Sequence, residues 1–252
     1  MLLTKQFVYI HLPKTGGTFV ESVLTRLYSH YADPNSFFSV NKHGSCREIP
    51  REFQGVPILT SVRNPYDWYV SNYRFAWWKR NPIMFRHIDK TRKKSTGYPD
   101  VSFEGFLDIF NDGFVAPNSF ALDQTEMPNC TGQKQIGYFT WLFVHFYCKQ
   151  PQKVLVNLNE EYIENKRVFD DVYDVHFVRT DKLNRSLHDF LIRVGWNPTH
   201  VEFILHEKKI RPEANMVVPE IADSRSLYSP NLKQYVRNRD RLIFKAFLDF
   251  DD

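Results

Sequence analysis

The sequence predicts an α/β protein in three layers, with a central, mostly parallel sheet flanked by helices. Short apolar runs (FVYIHL, PILTSV, HFVRT) recur between longer segments whose apolar residues return at helical spacing. These runs lack the apolar–polar alternation of a sheet with one wet face, which suits strands buried on both sides. Strand and helix signals also alternate along the chain, the order expected of parallel strands joined by crossover helices.

The elements follow in order. MLLTKQFVYIHLPK contains the first strand, centred on Phe7–Leu12, which runs into Pro-Lys-Thr-Gly-Gly. From Thr18 to Tyr31 a helix is predicted, because Phe19, Val23, Leu24, Leu27 and Tyr31 share one face. A second strand covers Pro57–Val62 and stops at Arg63. Asn64-Pro65 then supplies an N-cap and a proline at the first helical position of a helix from Tyr66 to about Trp78. Two further strands are expected at Lys153–Leu158 and Asp174–Thr180. Helices are expected at Phe103–Phe110, Gly137–Tyr147, Leu183–Val194 and Leu232–Phe250. No repeat, low-complexity tract or long linker divides the sequence, so residues 1–252 read as one domain.

Composition narrows the class. The 252 residues are 42% hydrophobic and 25% charged, which describes a folded globule with a sizeable core. A net charge of +4 is too mild to imply a nucleic-acid partner. Cys46, Cys130 and Cys148 form neither a complete disulfide framework nor a metal-ligand spacing, and no metal is expected. No apolar run approaches the roughly 18 residues of a spanning helix. The N-terminus lacks a charged leader with a small-residue cleavage site. The expectation is a soluble, cytoplasmic protein.

Two strand–helix junctions carry chemistry. In HLPKTGGT, Gly16 and Gly17 allow a tight turn that presents successive N–H groups, and Thr18 opens a helix whose N-terminus favours an anion. Lys14 adds a mobile positive charge suited to a phosphate or sulfate oxygen. Alone, the loop is equally compatible with a glycine-rich turn and a solvated lysine. The lysine precedes the glycines, whereas a nucleoside-triphosphate loop places it after them, so an ATP or GTP loop is disfavoured. At the second junction, Arg63 ends a strand and Ser71 falls eight residues later on the next helix. Together they can hold a second phosphate through a charge-assisted fork and a hydroxyl. Read alone, an arginine capping its own strand and a serine on a polar helix face is the simpler account.

Taken jointly, PKTGGT and VRNPYDWYVSNY resemble the two nucleotide-binding signatures of sulfotransferases that use 3′-phosphoadenosine 5′-phosphosulfate (PAPS), in the carbohydrate-type and bacterial branch. The resemblance implies a P-loop-like fold, with Lys14, Thr15, Gly16, Gly17 and Thr18 around the 5′-phosphosulfate. Phe19 is counted among the nucleotide-binding positions, and Arg63 and Ser71 bind the 3′-phosphate. KHGSCREI is similar to the segment that places a histidine before the second signature, and HFVRTDKL and NLKQYVRNRDRLIFKAF resemble later segments of that branch. The implied reaction moves a sulfuryl group from PAPS to an acceptor hydroxyl, on a carbohydrate or small molecule, leaving adenosine 3′,5′-bisphosphate.

A proton acceptor is needed, and histidine suits the role near neutral pH. His43 lies in the polar loop NKHGSC and matches the branch's base position. His11, inside the first strand, reads instead as a core histidine. Glu48 can orient His43 or serve as the base itself, with a solvated helix carboxylate as the simpler account. Lys14 is assigned the charge on the leaving phosphate. Residues 74–94 hold eight basic side chains against one acidic one, with Trp77 and Trp78 beside them. They read either as an acceptor site or lid for an anionic or carbohydrate-like acceptor, or as a solvated basic loop over core tryptophans. Lys208, Lys209 and Arg211 are either a surface cluster or, by resemblance, residues that close on the nucleotide. Two rival functions stay open: an atypical nucleotide-dependent kinase using Asp181 for magnesium, and a non-catalytic anion or nucleic-acid binding module using residues 74–94.

Overall fold

The computed structural model describes residues 1–33, 36–80, 90–112, 136–208, 210 and 224–250. It divides into two compact units: Met1–Arg63 with Val172–Arg211, and Asn64–Asp171 with Pro212–Asp252.

The first unit holds a five-stranded sheet in the order β3-β1-β2-β4-β5. The strands are β1 Leu2–Thr4, β2 Val8–Ile10, β3 Phe37–Ser39, β4 Ile58–Val62 and β5 Val175–Arg179. The pairs β2–β4 and β4–β5 are parallel, with Tyr9 opposite Leu59 and Thr60 opposite Phe177. The pairs β1–β2 and β1–β3 are antiparallel. The sheet is therefore mixed, and the expected mostly parallel sheet is confined to one half. The predicted single N-terminal strand is a hairpin. Thr4 makes the turn: its Oγ1 donates to the Phe7 carbonyl at 2.7 Å and accepts from the Phe7 N–H at 2.9 Å. A β-branched residue with a hydroxyl serves both the strand and the turn, so the apolar run read as continuous.

Every residue of β2 and β4 is buried. On one face of the sheet, Phe7, Tyr9 and Leu59 pack with Phe19, Val23 and Leu27 of α1 (Gly17–Tyr31) and with Leu187, Phe190 and Leu191 of the helix Leu183–Arg193. Complete burial of side chains of this size is worth about 1.5–3 kcal/mol each.

The second unit is helical. Its first helix, α2 (Pro65–Phe75), is capped by Asn64, whose Oδ1 accepts from the Tyr66 N–H at 2.9 Å, and it ends at Ala76 in the left-handed region. Trp68, Trp78, Phe106, Phe110 and Phe139 belong to its aromatic core. The strand expected at Lys153–Leu158 is instead a helix, Pro151–Asn157. Pro151, Val154, Leu155 and Leu158 are buried while Val156 is exposed, a helical period that the β-branched composition obscures. Pro151 at the first helical position was the signal for it. The long C-terminal helix also breaks, into Pro230–Arg239, Arg241–Ala246 and a 3-10 turn at Leu248–Phe250. The break falls at Asp240, which is fully buried. Its carboxylate accepts from the Thr140 N–H at 2.7 Å and the Thr140 hydroxyl at 2.9 Å, and lies 2.7 Å from the Tyr69 hydroxyl. Among the described residues, no helix is long and apolar enough to cross a membrane.

Candidate active site at the carboxyl edge of the sheet

The parallel strands β2, β4 and β5 end at one edge, where ligands collect in sheets of this kind. Residues 11–16 leave β2 there and enter α1. Gly16 is the N-cap with φ 92°, no side chain caps the helix, and no acidic residue occupies its first turn. The start of α1 is thus electropositive and open to an anion. Lys14 adopts φ 66°, a left-handed backbone that turns the loop before the helix.

The loop is pinned from below. Thr15 is fully buried; its hydroxyl donates to the Leu12 carbonyl at 2.8 Å and lies 3.0 Å from Ser61 Oγ, which in turn meets the Tyr9 hydroxyl. What Thr15 can offer a ligand is therefore its backbone. Thr180, just after β5, places its hydroxyl 3.0 Å from the Thr15 carbonyl and 2.9 Å from the Val62 carbonyl. Arg63, at the end of β4, donates from Nη1 to the Lys14 carbonyl at 3.3 Å, which sets a guanidinium beside the loop. Thr18 is exposed at the start of α1, whereas the Phe19 side chain lies in the core and its N–H bonds to the Gly16 carbonyl. Ser71 is half-buried on the second turn of α2, in the second unit.

His11 and His43 form one cluster. His43 Nδ1 lies 3.0 Å from the His11 carbonyl. A carbonyl only accepts, so the proton sits on Nδ1 and Nε2 carries the lone pair. The two imidazole rings meet edge to face with centroids 4.9 Å apart. Burial, helped by the neighbouring His11 and Lys42, depresses the His43 pKa to about 4. His11 Nδ1 lies 2.8 Å from Glu21 Oε1, and Lys42 Nζ lies 3.2 Å from Glu21 Oε2. The hydrogen bond from His11, opposed by partial burial and joined by the charges of His11 and Lys42, brings the Glu21 carboxyl down to about 2. Gly17 fits beneath this cluster because a Cβ there would overlap the His11 imidazole.

Sequence reasoning read His11 as a buried core histidine, and it is 5% exposed. Its role against Gly17 and His43, and those of Glu21, Lys42 and Thr180, were missed. Glu21 sits one helical turn past the loop, but nothing in the local sequence links it to residue 42. Glu48 does not reach His43. It accepts from the Ser45 N–H at 2.6 Å and from Asn41 Nδ2 at 2.6 Å, closing a capping box. Asp181 is gripped by Arg179 through bonds of 3.0 and 2.8 Å, and among the described residues no cluster of three acidic, histidine or cysteine side chains could hold a metal.

In the second unit, Trp78 is buried on Phe106, Trp77 lies against Phe110, and Lys79 pairs with Asp100 at 2.6 Å. Trp78 is thus a core residue rather than a stacking platform. Residues 81–89 of the basic stretch, Lys209, Arg211 and Cys130 lie outside the described residues. Lys208 is exposed, and Cys46 and Cys148 are buried free thiols.

A strand, a glycine turn and an uncapped helix start beside Lys14 and Arg63 meet at the sheet edge of an α/β protein. The profile of the Sulfotransferase family matches residues 3–146, more than half of the chain and the whole of this loop, and the chain belongs to that family. Its general activity is transfer of a sulfuryl group to an acceptor. Comparison with curated proteins returns no match.

Proposed function

We propose that the protein transfers a sulfuryl group from PAPS to an acceptor hydroxyl on a carbohydrate or small molecule, within a single domain of P-loop-like architecture. The observation that carries this reading is the uncapped start of α1 with Lys14 and Arg63 at the loop and His43 beside it. An open helix N-terminus without acidic residues in its first turn suits a phosphosulfate, and Gly16 supplies the left-handed turn that leads into it. PAPS supplies an activated sulfuryl group on a phosphate leaving group.

The chain's residues divide the remaining work. The backbone of residues 15–18 and the Lys14 ammonium hold the 5′-phosphosulfate, with Phe19 completing the segment. Arg63 and Ser71 take the 3′-phosphate, on the strength of the second signature. His43 Nε2 accepts the proton of the acceptor hydroxyl as the acceptor oxygen bonds to sulfur. The bond from sulfur to the bridging phosphate oxygen breaks, and Lys14 with the helix N-terminus stabilises the charge left on that phosphate. A depressed pKa keeps His43 neutral and ready to accept at pH 7. The bound anions raise its proton affinity as the reaction proceeds.

The test is a thermal-shift titration with adenosine 3′,5′-bisphosphate beside ATP–magnesium and 5′-AMP. Ligand at a hundred times its Kd stabilises by about 2.7 kcal/mol. For a chain of this size that is a rise of roughly 5–11 °C. A rise confined to the bisphosphate supports the reading. A larger response to ATP–magnesium, or none to the bisphosphate, overturns it.

A further inference from the structure

The His11–Glu21 pair is the best-built polar cluster that the mechanism above does not use. Glu21 lies on the second turn of α1 and reaches two separate segments, His11 at the end of β2 and Lys42 in the loop that carries His43. His11 in turn touches His43 twice, through its carbonyl and through its ring. One carboxylate thereby ties together the strand end, the helix that begins at the anion-binding turn, and the histidine loop. Gly17 is part of the same fit, since any side chain there would displace the His11 ring.

We propose that His11 and Glu21 are positioning residues for sulfuryl transfer: Glu21 holds the His11 ring and the Lys42 segment, and His11 holds the His43 imidazole with its proton on Nδ1 and Nε2 presented to the acceptor. The assignment rests on the reading of His43 as base, and neither residue touches the reacting atoms. Glu21 fixes which His11 nitrogen carries the proton, because a carboxylate with a depressed pKa accepts from Nδ1–H at any pH above its titration. An imidazole held this way loses little freedom on reaching the transition state, and misplacement by about 1 Å can cost about 100-fold in rate.

The test compares the full chain with Glu21→Ala, Glu21→Gln and His11→Phe. The first measurement is the ¹⁵N NMR spectrum of the histidine rings, with His43 assigned by its loss in His43→Ala. In the wild type, His43 should show one tautomer, protonated on Nδ1, and titrate near pH 4. Glu21→Ala should mix in the other tautomer and displace the titration from its wild-type value. In Glu21→Gln the amide oxygen still accepts from His11, so both signals should stay near wild type. The second measurement is turnover of PAPS with water as acceptor, read as bisphosphate release. We expect kcat to fall about 10- to 100-fold in Glu21→Ala, the size of effect that misplacement of a reacting group by about 1 Å produces. KM for PAPS and bisphosphate affinity should stay within about threefold, and Glu21→Gln should recover most of the rate.

An unchanged His43 tautomer and titration in Glu21→Ala overturns the proposal. So does a parallel loss of kcat and bisphosphate affinity, which marks a merely structural role. Should Glu21→Ala not fold, His11→Phe keeps the ring volume and the carbonyl while removing the Nδ1 donor, and the same spectrum decides. Failure of the wild type to bind bisphosphate would end the nucleotide reading, while the tautomer comparison would still judge the dyad.

Discussion

Two buried polar clusters, one in each unit, follow the same local rule and reach opposite chemical ends. In the first unit Gly17 lies against the His11 imidazole, and in the second Gly137 lies against the Asp240 carboxylate; in both, a Cβ would overlap the polar side chain. The His11–Glu21 cluster stands at a strand end beside an open helix start, with Glu21 ionised down to about pH 2 by its partners. The Asp240 cluster is closed. Its carboxylate is fully buried among Tyr69 and Thr140 donors, and burial pushes its pKa up to about 6 despite them. The His11–Glu21 pair is only partly buried, whereas the fully buried Asp240 carboxylate spends its hydrogen bonds on locking helices together.

The largest effect should come from removing the base. His43→Ala is expected to lower PAPS turnover by about 10³-fold, within the range for general-base catalysis, while bisphosphate affinity stays nearly unchanged. Turnover near wild type would remove His43 from the mechanism and erase the functional half of the comparison. Asp240→Ala should instead act on stability. It strands two Thr140 donors, at about 1–3 kcal/mol each, while the Tyr69 hydroxyl keeps Asn111 Oδ1 at 2.7 Å, so urea denaturation should show a loss of about 2 kcal/mol or more. A loss below about 1 kcal/mol would show that these donors find other partners. Lys14→Ala should cost about 100-fold in kcat and also weaken bisphosphate binding, a double loss that His43→Ala does not share. Equal kinetics in wild type and variant would exclude Lys14 from the leaving-group role.

The pH dependence of stability separates the clusters by sign. Asp240 titrates near 6 when folded against an ordinary 3.8, so the folded state binds more protons between those values and this group's contribution falls as pH rises from about 4 to 6. His43 titrates near 4 when folded against an ordinary 6.5, so the unfolded state binds more protons and its contribution rises with pH from about 4 to 6.5. Denaturation of Asp240→Asn across pH 4–6 should therefore gain on the wild type as pH rises, and His43→Gln should lose on it. Parallel curves for either variant would show that the group titrates normally.

How far each cluster was legible in the sequence differs for a physical reason. The glycine turn is contiguous: a buried strand, two glycines and a helix start lie within residues 7–18, and local propensity and helix electrostatics are readable at that range. Asn64 and Pro65 announced α2 in the same way. Where the reading failed, local and tertiary signals conflicted. Val154, Leu155 and Val156 favour a strand by composition, yet Pro151 starts a helix whose burial follows the helical period. The C-terminal run kept a helical pattern through Asp240, but a buried carboxylate serving Thr140, 100 residues away, breaks it.

By itself the sequence determined the α/β class, the strand–turn–helix at residues 7–18 and the family, and it singled out the histidine proposed as base. Each of these resides in short segments whose conformation and chemistry are set by their own residues. Only the tertiary structure decided that the sheet is antiparallel on one side, that the Thr180 hydroxyl lies within hydrogen-bond reach of two carbonyls from distant segments, and that Glu21 joins His11 to the His43 loop. These contacts bridge as many as 165 residues. They exist because folding brings buried polar groups together that must satisfy one another, a requirement that no single segment carries.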